Sequence, residues 1–291
     1  MVNPLIGRVG VVGCGQMGAG IAELCARSGY AVVVCEADTL RLDAGMARIA
    51  ASMERAVARG KLSDDERRSA QARITGVADL AHLGDCDLVI EAVPEVLALK
   101  REVFGRLGDV APSHAILASN TSCLAVTDLA VASGRPEQVL GMHFMQPAVV
   151  RPLLELVTTL LTAPETLAQA RMFGESLGKT TVVSRDEPGF IVNRLMLPSL
   201  LQAVDLLERG VASREEIDTA AQLGLGHPLG PLALLDLIGL DTVVLMADAI
   251  YAETHDPAFA APVILRRMVT AGRLGRKTGI GFYEYAEGRQ L

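Results

Sequence analysis

His143 and Glu155 carry the sharpest chemical signal in the sequence. His143 closes the apolar run Val139–His143. Glu155 sits inside the run Leu153–Val157, with leucine on either side. A carboxylate in such a run is expensive to bury without a partner, and an imidazole supplies one. Paired, the carboxylate orients the ring and stabilises its cation, as a general base requires when it takes a proton. On spacing alone, a hydrogen-bonded core histidine and a strand-edge glutamate account for these positions equally well.

A second signal is Gly13-Cys14-Gly15-Gln16-Met17-Gly18, a GxGxxG pattern. Alone it is weak in a chain with 28 glycines. Its context strengthens it: the apolar run Arg8–Val12 precedes it and a helical pattern follows. Gly13 suits the tight turn, Gly15 the close approach of a pyrophosphate, and Gly18 the packing of helix on strand. A helix N-terminus there offers free amides and its positive dipole end to phosphates. The next apolar run, Ala31–Glu36, ends in Glu36, placed to accept from both ribose hydroxyls of NAD and to repel the 2′-phosphate of NADP. NAD is the expected cofactor, with Arg41 the nearby charge that would weaken the preference.

The elements that must position these residues follow from periodicity. Strands are expected at Arg8–Val12, Ala31–Glu36, Leu88–Glu91, Ala115–Ser119, Val139–His143, Leu153–Val157 and Thr180–Val183, with helical stretches between them. Such alternation predicts an α/β fold: a Rossmann-type, doubly wound parallel sheet covered on both faces. A long insert from Thr39 to about Gly76 reads as a helical hairpin, its second helix opened by a Ser63–Glu66 capping box. Beyond about Asp186 the β-branched runs fade and helical patterns dominate, with Pro188-Gly189 as punctuation. The expected domains are residues 1–186, binding NAD, and 187–291, a smaller all-helical domain for substrate and dimerisation. Leu195–Leu207 reads as a buried helix and Leu232–Val244 as another.

Composition narrows the function classes. A formal net charge of −7 disfavours nucleic acid, whose binding rests on phosphate neutralisation. The five cysteines, Cys14, Cys25, Cys35, Cys86 and Cys123, show neither paired nor zinc-ligand spacing, as expected of a reduced cytoplasmic protein with no metal site. Met1-Val2-Asn3-Pro4 has no targeting character, and no apolar run is long enough for a bilayer.

Several segments in order resemble the 3-hydroxyacyl-CoA dehydrogenases, most closely the bacterial 3-hydroxybutyryl-CoA dehydrogenases. They are Val9-Gly10-Val11-Val12-Gly13, Glu91-Ala92-Val93, Ala118-Ser119-Asn120-Thr121-Ser122, Gly141-Met142-His143-Phe144, Asp186-Glu187-Pro188-Gly189-Phe190-Ile191-Val192-Asn193-Arg194 and Gly281-Phe282-Tyr283. The resemblance implies that His143 takes the proton of a 3-hydroxyl as hydride leaves for NAD, with Glu155 orienting it. It implies that Ser122 and Asn193 hold the reacting oxygen or the substrate. It places Glu95 and Lys100 near the nicotinamide ribose, Ala92 and Val93 as backbone contacts to the dinucleotide, and Asn120 near the nicotinamide. Basic residues matching Arg55 and Arg59 face the phosphates of coenzyme A in the family; a solvated helix face is the alternative. The helical domains of the family pair subunits, which implies a homodimer. The chain departs from the family's usual His-Phe-Phe-Asn-Pro with His143-Phe144-Met145-Gln146-Pro147, and has Val150-Arg151-Pro152 where the family often has a Met-Lys pair. The expected substrate is a short-chain 3-hydroxyacyl-CoA. The alternatives are a carrier-protein-bound hydroxyacyl group, a free hydroxy acid, or an idle NAD-binding protein; the last is disfavoured because Ser122, His143, Glu155 and Asn193 are all present. His227, followed by Pro228 and set among glycines, reads as structural.

Overall fold

A computed structural model describes residues 5–285, so Met1–Pro4, read above for targeting, lies outside the described residues. The strands are β1 (Arg8–Val12), β2 (Ala31–Cys35), β3 (Ile74–Val77), β4 (Leu88–Glu91), β5 (Ile116–Ser119), β6 (Val139–Phe144), β7 (Leu153–Thr158) and β8 (Thr180–Arg185). They form one eight-stranded sheet in the order β3-β2-β1-β4-β5-β6-β7-β8. The helices of this unit are α1 (Gln16–Arg27), α2 (Thr39–Ala58), α3 (Asp64–Gln71), α4 (Leu97–Val110), α5 (Val126–Ala132) and α6 (Pro164–Ser176). The Val, Ile and Leu side chains of the central strands share one buried core with α1, Tyr30 and Phe173.

The expected doubly wound parallel sheet holds from β3 through β6, and the last two strands depart from it. β6 and β7 are antiparallel, and β8 runs parallel to β7. Residues 145–152 hold no helix, and so short a connection cannot carry a chain back for a parallel pairing. β7 therefore turns straight back beside β6. Strand β3 lies at the end of the expected insert. It is short, contains Gly76 and sits on the sheet edge, so its periodicity is slight. The capping box of α3 has both halves: the Glu66 N–H donates to Ser63 Oγ, and the Ser63 N–H donates to Glu66 at 2.8 Å.

The first compact unit ends at Glu187 and the second begins at Pro188. The second consists of α7 (Val192–Glu208), α8 (Arg214–Gly224), α9 (Pro231–Ile238), α10 (Leu240–Thr254) and α11 (Val263–Thr270), followed by the segment to Tyr285. The expected helix Leu232–Val244 is two helices, broken at Gly239, whose φ of 101° is a left-handed-side conformation open to glycine. The expected burial of Leu195–Leu207 holds for one face only, since Leu195 is exposed. Two buried aspartates organise the unit. Asp218 accepts from the Leu232 and Ala233 amides at the start of α9. Asp236 accepts from the Phe282 and Tyr283 amides and the Tyr285 hydroxyl, which ties down the terminal segment.

Candidate active site

The glycine loop connects β1 to α1. Gly13 has φ +90°, and a Cβ there would lie 2.7 Å from the Ala92 carbonyl oxygen. A Cβ on Gly18 would lie 1.8 Å from the Gly13 carbonyl oxygen, whereas one on Gly15 would meet nothing within 4 Å. The chain packs tightly at the first and third glycines and is open at the second. Helix α1 starts at Gln16 and Met17 with no side-chain cap and no acid in its first turn. Its free amides and positive end therefore face open space, and these residues fit a pyrophosphate. Glu36, just beyond β2, accepts from the Cys14 N–H at 2.6 Å and the Ala37 N–H at 3.1 Å. It stands at the mouth of the same loop. Arg41 is paired with Asp38 at 3.5 Å, so its charge is committed elsewhere. Cys14 itself is buried against Gly45 of α2, and burial pushes its thiol up to about 11.

Across the loop, β4 ends in Glu91, which is fully buried. Its carboxylate accepts from Lys100 Nζ at 2.6 Å, the Val93 N–H at 2.7 Å and Ser119 Oγ at 2.7 Å. Burial pushes the Glu91 carboxyl up, against the pull of Lys100 and the other donors. Lys100, almost wholly buried, also lies 3.2 Å from Glu95. Burial raises the Glu95 carboxyl as well, but Lys100, the Thr121 hydroxyl and the Ser122 N–H outweigh it and hold the group below its ordinary value. Glu95 thus receives Thr121 Oγ1 and, at 3.0 Å, the Ser122 N–H.

His143 and Glu155 are a cross-strand pair of β6 and β7, directly opposite in register. The antiparallel reversal therefore brings them together. His143 Nδ1 lies 2.6 Å from Glu155 Oε2, and Glu155 is fully buried. A carboxylate only accepts, so Nδ1 carries the proton and Nε2 of the neutral ring is left as acceptor. Ser122 Oγ lies 3.1 Å from that Nε2. Asn120 Oδ1 accepts the Phe144 N–H at 2.9 Å and ties the Ser122 loop to the end of β6. The arrangement can take a proton at Nε2 and hold the resulting imidazolium against a buried anion.

Arg55 in the last turn of α2 and Arg59 just after it are exposed, with no ion pair among the described residues. Asn193 is buried in the first turn of α7 in the second unit. Gln146 is exposed, and its carbonyl accepts from Arg151 Nε at 3.3 Å, so the two departures from the family pattern touch each other. His227 is exposed.

Three further polar residues hold the site in place without standing out in the sequence. Glu91 is one, although an acid closing the apolar run Leu88–Glu91 is the same signal that marks Glu155. Asp186 caps α5 from a distance, accepting from the Val126 and Thr127 amides. Lys179 is buried and donates to the Ala148 and Arg151 carbonyls, fixing the loop between His143 and Glu155.

A nucleotide-type glycine loop at the carboxyl edge of the sheet, with a buried His–Glu pair on the same sheet, defines an NAD-linked oxidoreductase. The chain belongs to the 3-hydroxyacyl-CoA dehydrogenase family: the model of its NAD binding domain matches residues 8–187 and that of its C-terminal domain residues 189–285. A 3-hydroxybutyryl-CoA dehydrogenase of Mycobacterium tuberculosis is 48% identical over 98% of this chain and 100% of its own length. The mitochondrial hydroxyacyl-coenzyme A dehydrogenase of Sus scrofa is 40% identical over 97% of this chain and 92% of its own. The crystal structure of (S)-3-hydroxybutyryl-CoA dehydrogenase from Ralstonia eutropha matches with a TM-score of 0.93 at 40% identity, covering 97% of this chain and 100% of that one.

Proposed function

We propose that this chain oxidises the 3-hydroxyl of a short-chain 3-hydroxyacyl-CoA, of the 3-hydroxybutyryl class, with His143 as the base. The observation that carries the reading is the Glu155–His143–Ser122 line, with Nδ1 committed to a buried carboxylate and Nε2 turned to a hydroxyl. Bound NAD supplies the hydride acceptor. His143 Nε2 takes the hydroxyl proton as the C3–H bond breaks, and Glu155 stabilises the imidazolium through Nδ1–H. The ring gives up that proton to solvent after the 3-oxoacyl product forms. Ser122 Oγ holds the substrate oxygen beside Nε2, and Asn193 keeps the substrate-holding role its motif implies.

The glycines Gly13, Gly15 and Gly18, with the amides of Gln16 and Met17, cradle the dinucleotide, and Glu36 selects NAD. Ala92, Val93, Glu95, Lys100 and Asn120 form the nicotinamide side of the site. Arg55 and Arg59 meet the phosphates of coenzyme A. The chain works in the cytoplasm as a homodimer. Support for the compartment is that all five cysteines are buried thiols. Support for the dimer is the exposed apolar side chains of the second unit, among them Leu195, Leu223 and Leu245.

Steady-state rates on a panel of 3-hydroxyacyl-CoA thioesters, a carrier-protein thioester and free 3-hydroxy acids test the assignment. The short-chain CoA thioesters should give the highest kcat/KM. Preference for a free acid or for the carrier-bound group would replace the substrate assignment.

A further inference from the structure

We infer that Glu91 is a positioning residue for the reaction: it holds the Lys100 ammonium and, through it, fixes both the floor of the dinucleotide loop and the Ser122 loop. The inference rests on the NAD site and on the proposed roles of Lys100 and Ser122.

The arrangement is a poor choice for stability alone. Lys100 lies in the first turn of α4, where the helix dipole opposes a cation. It is buried there between two carboxylates, Glu91 at 2.6 Å and Glu95 at 3.2 Å. Desolvating such a group is seldom repaid in stability, and apolar side chains of similar volume often serve as well or better. The geometry shows what the ions achieve instead.

On one side the pair locks the backbone beyond β4. The Val93 N–H donates to Glu91, and the Val93 carbonyl accepts from Lys100 at 3.2 Å. Both polar groups of that residue are thereby fixed. This stretch is the surface against which Gly13 packs, within 3.0 Å of the Val93 nitrogen for a Cβ there. Glu91 also receives Ser119 Oγ, which in turn accepts the Thr121 N–H at 3.2 Å. On the other side Lys100 draws on Glu95, and Glu95 receives the Ser122 N–H at 3.0 Å. Ser122 Oγ then reaches His143 Nε2. One buried anion thus orders two loops that must meet the same hydride-transfer geometry. Without it Lys100 would turn wholly to Glu95 and pull that carboxylate from the Ser122 amide.

The test is a double-mutant cycle on the full chain: Glu91→Gln, Lys100→Met and the two combined, with His143→Gln as reference. NADH affinity is read by fluorescence titration without acyl substrate, alongside kcat, the thioester KM and the melting temperature. Glu91→Gln should weaken NADH binding by about tenfold, the scale of one charge-assisted contact. It should also lower kcat while leaving the thioester KM within about twofold. Because Glu91 acts through Lys100, the double variant should bind NADH no worse than the weaker single one. The double variant leaves neither Glu91 nor Lys100 as a lone buried charge, and Glu95, which loses the ammonium, keeps its Thr121 and Ser122 donors and part of its exposure, so this variant reports even where Glu91→Gln alone does not fold. A folded Glu91→Gln or double variant with wild-type NADH affinity would reduce Glu91 to a structural residue. Additive losses would detach it from Lys100. An active His143→Gln would overturn the proposed mechanism and leave this binding cycle intact.

Discussion

The hairpin of β6 and β7 and the hairpin of α2 and α3 both carry charge, and they hold it in opposite ways. His143 and Glu155 sit on adjacent strands of a sheet buried on both faces, with Glu155 out of contact with solvent. Their geometry is set before any ligand arrives, so binding and reaction need not order them. Arg55 and Arg59 end a helix on the surface, with no carboxylate partner among the described residues. Their heads face water and their field is screened, so what they bind must order them. The buried His143–Glu155 pair therefore acts in the transition state and shows in kcat, while the exposed arginine pair acts in ground-state binding and shows in KM.

The largest effect expected is at the buried pair. His143→Gln should lower kcat by roughly 10²–10⁴-fold, the usual contribution of a general base. NADH affinity should stay near that of the wild type. Glu155→Gln should cut turnover as well, because the imidazolium formed on oxidation loses its counter-charge. A His143→Gln enzyme with most of its activity would remove the distinction between the two hairpins as well as the mechanism.

Glu36 stands between the extremes, half-buried at the mouth of the glycine loop and already bonded to the Cys14 amide. The wild type should favour NAD over NADP, through repulsion of the 2′-phosphate. Glu36→Gln keeps an acceptor for Cys14 and removes the charge. The ratio of kcat/KM for the two cofactors should then fall by about tenfold or more, equivalent to at least about 1.4 kcal/mol. Equal efficiency of the wild type with both cofactors would contradict this reading of Glu36.

At the exposed pair the effect is smaller and of another kind. Replacing Arg55 and Arg59 together with Ala should raise KM for a CoA thioester by about tenfold, with kcat little changed. An N-acetylcysteamine thioester, which lacks the phosphates, should barely respond. Raised salt should mimic the double substitution for the CoA substrate only. Equal rises in KM for both thioesters would make α2 and α3 a structural appendage.

How much of this was legible beforehand follows the same divide. Glu155 betrays itself because an acid between leucines needs a partner, and His143 is the available one. Gly13, Gly15 and Gly18 are readable because strand, turn and helix fall in order around them. Glu91 bears the same mark as Glu155, but its partner is a lysine in the first turn of a helix. Nothing in the sequence tells whether such a side chain points inward. The reversal at β7 follows from the short helix-free link between Phe144 and Leu153, yet β-branched composition is the same for either strand direction. β3 escapes because four residues with a glycine at a sheet edge carry almost no period. The break at Gly239 hides inside an apolar run that suits one long helix as well as two.

The smallest effect expected is a pH dependence that separates the two kinds of charge within one network. Glu95 links the buried Lys100 to the Ser122 loop, but its own side chain keeps 36% of its exposure, so it is only partly shielded from water. Burial raises its carboxyl, and the ammonium of Lys100 together with the Thr121 and Ser122 donors more than reverses that, leaving it below 4.5. A carboxyl held lower in the folded chain than in the unfolded one contributes stability that is complete above its unfolded value. That contribution is lost as pH falls through the folded value. Glu95→Gln removes the titration and retains an acceptor. Solvent screening discounts a pair this exposed to below about 1 kcal/mol, so at neutral pH the variant should melt below the wild type by less than roughly 2–4 °C. As pH drops from neutrality past the ordinary carboxylate range, the wild type should lose this advantage and the two melting curves should converge. Comparing the pair at each pH cancels the acid sensitivity of every other carboxylate. A gap that stays constant down to strongly acidic pH would mean that Glu95 acts by packing rather than by charge. The Ser122 loop would then be held in the way the rest of the interior is held.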